Sequence, residues 1–131
     1  GCLVENVKNI NHWIGDEQEI KFYIFLLENE VVNITITYLS TEKDDYVSYF
    51  YFSSSKSSKR IETKNGEEQY IKPLKAVKKN NDWVEFILST EEGILEVQHE
   101  PNTIEQLPLN RTSNLIKDLI IRGSNISFCK E

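Results

Sequence analysis

Residues 82–99, DWVEFILSTEEGILEVQH, decide how the chain is read. In an extended backbone Val84, Phe86 and Leu88 share one face. Leu95 and Val97 do the same after the turn at Thr90, Glu91, Glu92 and Gly93. A period of two belongs to β structure, so the stretch predicts a hairpin with one face buried and the other at least partly wet.

The same alternation extends in both directions. Residues 19–27 carry Ile20, Phe22, Ile24 and Leu26 on one face and Tyr23, Phe25 and Leu27 on the other, which predicts a central strand covered on both sides. Residues 31–39 return with Val32, Ile34, Ile36 and Tyr38 facing in and Thr35 and Thr37 on a solvated face. Residues 46–52 gather Tyr46, Tyr49, Phe50, Tyr51 and Phe52, with Tyr49 and Tyr51 on the face opposite Phe50. The small polar run 53–58 turns into a strand at 59–64. Asn65-Gly66 then signals a tight hairpin, and Pro73 bars the strand after it from a central position. Residues 3–8 read as a short edge strand and 9–18 as a connection anchored by Trp13 and Ile14. The last two strands are 115–122 and 125–128. Leu115, Ile116, Leu119 and Ile120 also recur at helical spacing, but Ile120, Ile121 and Gly123 fit an edge-to-edge return of strands better. The whole predicts an all-β chain of about ten short strands, folded as an antiparallel two-sheet β-sandwich of jelly-roll or lectin-like type. One domain over residues 1–131 is expected.

Composition agrees with that class. A chain of 131 residues can bury roughly two-thirds of its unfolded surface, enough for a two-layer core. With 39% hydrophobic and 27% charged residues it lies in the globular range, away from disorder. A net charge of −6 repels nucleic acid. No apolar run approaches the ~20 residues that a membrane span needs. The start at Gly1-Cys2 reads as processed or engineered.

The two cysteines, Cys2 and Cys129, stand at opposite ends of the chain. Termini of compact domains lie close together, so the expectation is a disulfide joining first and last strands, with two separate buried thiols as the alternative. A bridge would place the chain in an oxidising, secreted setting. Three Asn-X-Ser/Thr sequons, at Asn33, Asn110 and Asn125, point the same way. Asn110 lies in a polar loop. Asn33 and Asn125 fall within strands and suit glycosylation only where they face water.

No reaction centre stands out. His99 beside Glu100 reads as a solvated histidine at a strand end, and a catalytic triad is a matter of geometry that spacing does not supply. The acidic pairs Asp44-Asp45, Glu67-Glu68 and Glu91-Glu92 read as solvated turn charges rather than calcium ligands. Nothing calls for a cofactor. The candidate binding residues are Tyr49 and Tyr51, read as outward stacking surfaces for a sugar or protein, with Trp83 in the same aromatic group. Lys56, Lys59 and Arg60 would add a positive face suited to a sulfated or phosphorylated partner. The plainer alternatives are cross-strand packing for the tyrosines and lysine protection of a sheet edge for the cations.

Several segments together resemble one known family. They are Ile20-Lys21-Phe22, the ENEVVNITI of residues 28–36, the YVSYFYFSSSKSSKRI of residues 46–61, and the WVEFI and GILEV arms of the hairpin. Over about residues 19–107 this pattern resembles the farnesoic acid O-methyltransferase-like domain, with Ser53 and Ser54 standing where that family carries paired glycines. The resemblance implies an extracellular recognition module, found also attached to complement-like proteins. Methyl transfer itself rides on an α/β sheet with a Gly-rich turn before a helix, and this sequence does not follow that plan. The expectation is therefore a secreted module of extracellular fluid, suited to innate immunity, that binds a protein or glycan. An enzyme or carrier for a small apolar acid such as a farnesoate-like lipid is the alternative.

Overall fold

A computed structural model describes residues 8–39, 45–109 and 116–129, and the backbone of residues 2–5. Twelve strands run in chain order: β1 (Cys2–Glu5), β2 (Asn9–Trp13), β3 (Glu19–Leu26), β4 (Val32–Tyr38), β5 (Tyr46–Phe52), β6 (Ser58–Lys64), β7 (Glu67–Leu74), β8 (Asp82–Ser89), β9 (Ile94–Glu100), β10 (Thr103–Pro108), β11 (Ile116–Arg122) and β12 (Asn125–Cys129). They form two six-stranded antiparallel sheets, ordered β1-β12-β3-β8-β9-β10 and β2-β11-β4-β5-β6-β7. The β8–β9 hairpin pairs as the alternation requires, with Phe86 opposite Val97 and Leu88 opposite Leu95, and it lies inside the first sheet.

The inner faces hold the core. Ile20, Phe22, Ile24 and Leu26 of β3 and Val84, Phe86 and Leu88 of β8 meet Ile34 and Ile36 of β4 and Phe50 and Phe52 of β5, each at most 1% exposed. Burying each such side chain contributes ~1.5–3 kcal/mol. Aromatic rings join the layers. Phe22 stacks on Phe86 at 5.3 Å, and Phe86 meets Phe52 of the opposite sheet at 5.3 Å with ring planes tilted by 54°.

At the tight turn between β6 and β7, Asn65 and Gly66 both have positive φ (51° and 80°), the backbone a two-residue hairpin needs. Pro73 sits on β7, an edge strand, where its missing N–H breaks no ladder. Gly123 carries the chain from the second sheet back to the first. A Cβ there would come within 2.8 Å of Ile24 Cγ2, so only glycine fits without a shift. Glu30 fastens this crossing by accepting from the Ser124 amide at 2.8 Å and the Ser124 hydroxyl at 2.6 Å.

Several expectations are corrected. Among the described residues the strands number twelve rather than about ten, since Asn9–Trp13 is a strand rather than a connection and Thr103–Pro108 pairs as a further edge strand. Trp13 is no anchor: it is 70% exposed, while its neighbour Ile14 is 3% exposed. β3 is central, but its outer face is not covered by a further layer: Tyr23 and Phe25 are half-buried and Leu27 is exposed. β11 and β12 do not return edge to edge, since they lie in opposite sheets and β11 is flanked by β2 and β4. His99 is not solvated. It is 3% exposed and faces inward, its Nε2 lying 2.8 Å from Glu105 Oε1.

Arg60 and Glu62 also point inward, contrary to the reading of Arg60 as a surface cation. Their side chains are 6% and 5% exposed, and Arg60 Nε donates to Glu62 Oε1 at 2.6 Å. Glu62 Oε2 accepts from the Ser48 hydroxyl at 2.6 Å, which in turn pairs with the Tyr38 hydroxyl at 2.7 Å. Arg60 Nη1 donates to the Pro108 carbonyl at 2.6 Å, tying β6 to the far edge of the other sheet, and its guanidinium lies 5.0 Å from the Phe50 ring centroid. Arg60 Nε and Nη1 are thus both engaged while Nη2 is buried without a hydrogen-bond partner, and the Glu62 carboxylate offsets the cost that an isolated charge in the core would carry.

Two outcomes are expected. Phe86→Ala should lower the unfolding free energy by ~3–5 kcal/mol in denaturant melts, whereas Ile71→Ala on exposed β7 should change it by less than ~0.5 kcal/mol. Glu62→Leu leaves Arg60 charged and unpaired in the core and should cost ~3–5 kcal/mol, most of it recovered in the Arg60→Met/Glu62→Leu double variant. A double variant no more stable than the single one would contradict the pairing.

Candidate ligand-binding face

The outer face of the second sheet is built by strand register, which brings residues from five or more strands into rows. Asn9, Arg122, Asn33, Tyr51, Lys59 and Pro73 lie opposite one another along one row. The next row holds Asn11, Ile120, Thr35, Tyr49, Ile61 and Ile71. A third holds Trp13, Asp118, Thr37, Val47, Thr63 and Glu68. Rows are spaced by two residues along a strand, about 7 Å, and neighbours within a row by about 4.8 Å.

Relief on this face follows from side-chain size. Asn33 and Thr35 on β4 are only 9% and 4% exposed although they face outward. They are overtopped by Tyr49 and Tyr51 on β5 and by Ile120 and Arg122 on β11, so β4 floors a shallow furrow between taller walls. The floor is fixed by its own bonds: Thr35 Oγ1 donates to Asn33 Oδ1 at 2.7 Å, and Asn33 Nδ2 donates to the Phe50 carbonyl at 3.2 Å. Tyr49 and Tyr51 stand side by side, ring centroids 6.5 Å apart and planes within 16°. Lys59 Nζ lies 5.6 Å from the Tyr51 centroid, a cation–π contact. Burial pushes the Tyr51 phenol pKa up, as does neighbouring Tyr49, while Arg122 pulls it down.

The candidates named from sequence separate into groups. Tyr49, Tyr51 and Lys59 come together as one surface. Lys56 is exposed in the turn joining β5 and β6, just past the Tyr51–Lys59 pair, where its amide donates to Ser53 Oγ at 3.0 Å. Arg60 is excluded from any surface by its burial. Trp83 belongs to the other sheet. It packs edge-on against Phe25 at 5.4 Å on that sheet's outer face and does not join the tyrosines. Of the sequons, Asn33 is a floor residue whose amide nitrogen is already engaged. Asn125 is half-buried opposite Phe25, and Asn110 lies outside the described residues.

Sequence reading missed Asn9, Asn11, Trp13, Asp118, Ile120 and Arg122, which reach the face from the two ends of the chain. Among the described residues no group of three or more His, Cys, Asp or Glu gathers as a metal site. Glu67-Glu68 and Glu91-Glu92 are exposed, and Asp44 lies outside the described residues. Among the described residues no helix is long and apolar enough to cross a membrane.

No family model matches the chain and no curated protein is similar to it. Solved structures are. Sheep galectin-11 in complex with glycerol superposes with a TM-score of 0.66 at 14% identity, over 95% of this chain and 96% of that one. Galectin LEC-6 of Caenorhabditis elegans gives 0.60 at 13% identity, over 99% and 96%. Lactose- and MES-liganded congerin II gives 0.51 at 12% identity, over 99% and 97%. The architecture is thus a galectin-like β-sandwich.

Proposed function

We propose that this chain is a glycan-binding module that holds its ligand without transforming it, through the outer face of the second sheet. The observation that carries the reading is the paired Tyr49 and Tyr51 rings beside a polar furrow. Parallel, half-buried outward rings offer apolar stacking to the C–H face of a pyranose, while adjacent asparagine, threonine and charged groups suit its hydroxyls. The sugar named in the congerin II structure supports the same reading, since that protein shares the sandwich. The resemblance to farnesoic acid O-methyltransferase-like domains, which implies a recognition module, points in this direction too. A carrier or enzyme for an apolar acid is disfavoured by packing. The space such a ligand needs between the sheets is taken by Phe22, Phe50, Phe52 and Phe86, none more than 1% exposed.

The setting we propose is extracellular fluid, where a recognition module suits a role in defence. Strand pairing sets Cys2 directly opposite Cys129 in the β1–β12 ladder, and among the described residues there is no free cysteine. The Cys2 side chain lies outside the described residues, so a bridge between the two is part of this proposal. It would close nearly the whole chain and stabilise it by ~4–5 kcal/mol in the chain-entropy model. Non-reducing mass analysis should find the protein two hydrogens lighter than its reduced form, and reductant should lower its unfolding midpoint. An unchanged mass and midpoint would contradict an oxidising compartment.

Screening against immobilised oligosaccharides, followed by calorimetry on the best ligand, tests the function. Tyr49→Ala/Tyr51→Ala should weaken binding by roughly tenfold or more, while Trp83→Ala on the opposite sheet should leave it unchanged. Equal affinity of the tyrosine double variant, or no retained glycan at all, would overturn the reading.

A further inference from the structure

The three rows of the outer face differ in charge. The Arg122–Asn33–Tyr51–Lys59 row carries two cations and no carboxylate, and Lys56 stands in the turn just beyond it. The middle row, through Ile120, Thr35, Tyr49 and Ile61, is uncharged. The third carries Asp118 and Glu68. The face is therefore polarised from positive to negative over two row spacings, roughly 13 Å.

Ordinary structural duties do not account for the positive end. Lysines commonly guard sheet edges, but β6 and β11 are both interior strands, so neither Lys59 nor Arg122 protects an edge. Among the described residues neither forms an ion pair, and Lys56 forms none either. Arg122 and Lys59 are both exposed on a chain whose net charge is −6. Three unpaired cations at one corner of an acidic molecule focus a local positive potential that attracts an anion while the rest of the surface repels it. Arg122 and Lys59 are three strand spacings apart, about 14 Å, with the Tyr51 ring and the Asn33 floor between them. That span fits a short oligosaccharide lying across the strands, its rings on Tyr51 and its acidic substituent reaching a guanidinium or ammonium.

We propose that the ligand of this face is an acidic glycan, bearing sulfate or carboxylate groups, whose anionic substituents are read by Arg122, Lys59 and Lys56. The inference rests on the glycan-binding reading of the face and specifies the ligand class. Arginine offers a planar bidentate fork to either oxyanion, and the lysines offer point charges on flexible stems. Asp118 and Glu68 at the other end set the orientation by repelling the anion.

Calorimetry with size-matched oligosaccharides in neutral, sulfated and carboxylated forms tests it. The acidic forms should bind tighter than the neutral one, and the comparison between sulfated and carboxylated arms identifies which oxyanion is read. Arg122→Gln and Lys59→Gln should each weaken acidic binding by roughly tenfold and weaken neutral binding by less. Glu68→Gln, an exposed change, should tighten acidic binding, a gain that misfolding does not produce. Raising salt should weaken the acidic ligand selectively. Equal affinity for neutral and acidic forms, unaffected by these variants, would overturn the acidic specificity while leaving glycan recognition standing. Failure of every glycan to bind would overturn both.

Discussion

The contact between Phe86 and Phe52 is where the two sheets become one structure. Each ring belongs to a different layer, and each is extended within its own sheet by a stacked neighbour, Phe22 on one side and Phe50 on the other. The column continues into the Arg60 guanidinium beside Phe50, and from there through Glu62, Ser48 and Tyr38. Apolar burial thus brings the layers together, and a hydrogen-bonded polar chain fixes how β4, β5 and β6 sit relative to the Pro108 end of β10. A slip of one residue in any of these strands would send its phenylalanines to solvent and its tyrosines or lysines into the core.

For the function we propose, that constraint leaves the outer faces. With the inner faces committed to packing, recognition chemistry falls to the outward residues, and β pairing turns single residues of separate strands into continuous rows. The tyrosines are rigid for the same reason: their strand neighbours Phe50 and Phe52 are locked in the core, so Tyr49 and Tyr51 are held parallel before any ligand arrives. Preorganised aromatic surface keeps the entropy cost of binding low.

The alternation of Val84, Phe86 and Leu88, and of Val32, Ile34 and Ile36, made the sandwich legible from sequence, and the Asn65-Gly66 turn was legible for the same local reason. β2 was not, because Asn9, Asn11 and Trp13 face solvent and only Ile10 and His12 turn inward, leaving too weak an apolar signal. Arg60 has the inward parity of Ser58, but its charge argued for the surface, and the partners that neutralise that argument are Glu62, itself held by Ser48, and Pro108 on the opposite sheet. Tyr49, Tyr51 and Lys59 were recognised because they lie close in the chain. Arg122, Ile120 and Asn9 were not, because their place on the face depends on β11 inserting between β2 and β4, an order that local patterning does not encode. Trp83 was misplaced for the mirror reason, since periodicity gives a residue's face but not its sheet.

The most direct measurement is a ligand titration followed by backbone amide chemical shifts. The account expects shifts concentrated on the outward residues of β4, β5, β6 and β11, with Tyr49, Tyr51 and Arg122 among the largest, and the amides around Phe25 and Trp83 on the other sheet silent. Shifts centred on the other sheet, or spread through the Phe22–Phe86–Phe52 core as a ligand entering between the layers would cause, would contradict it.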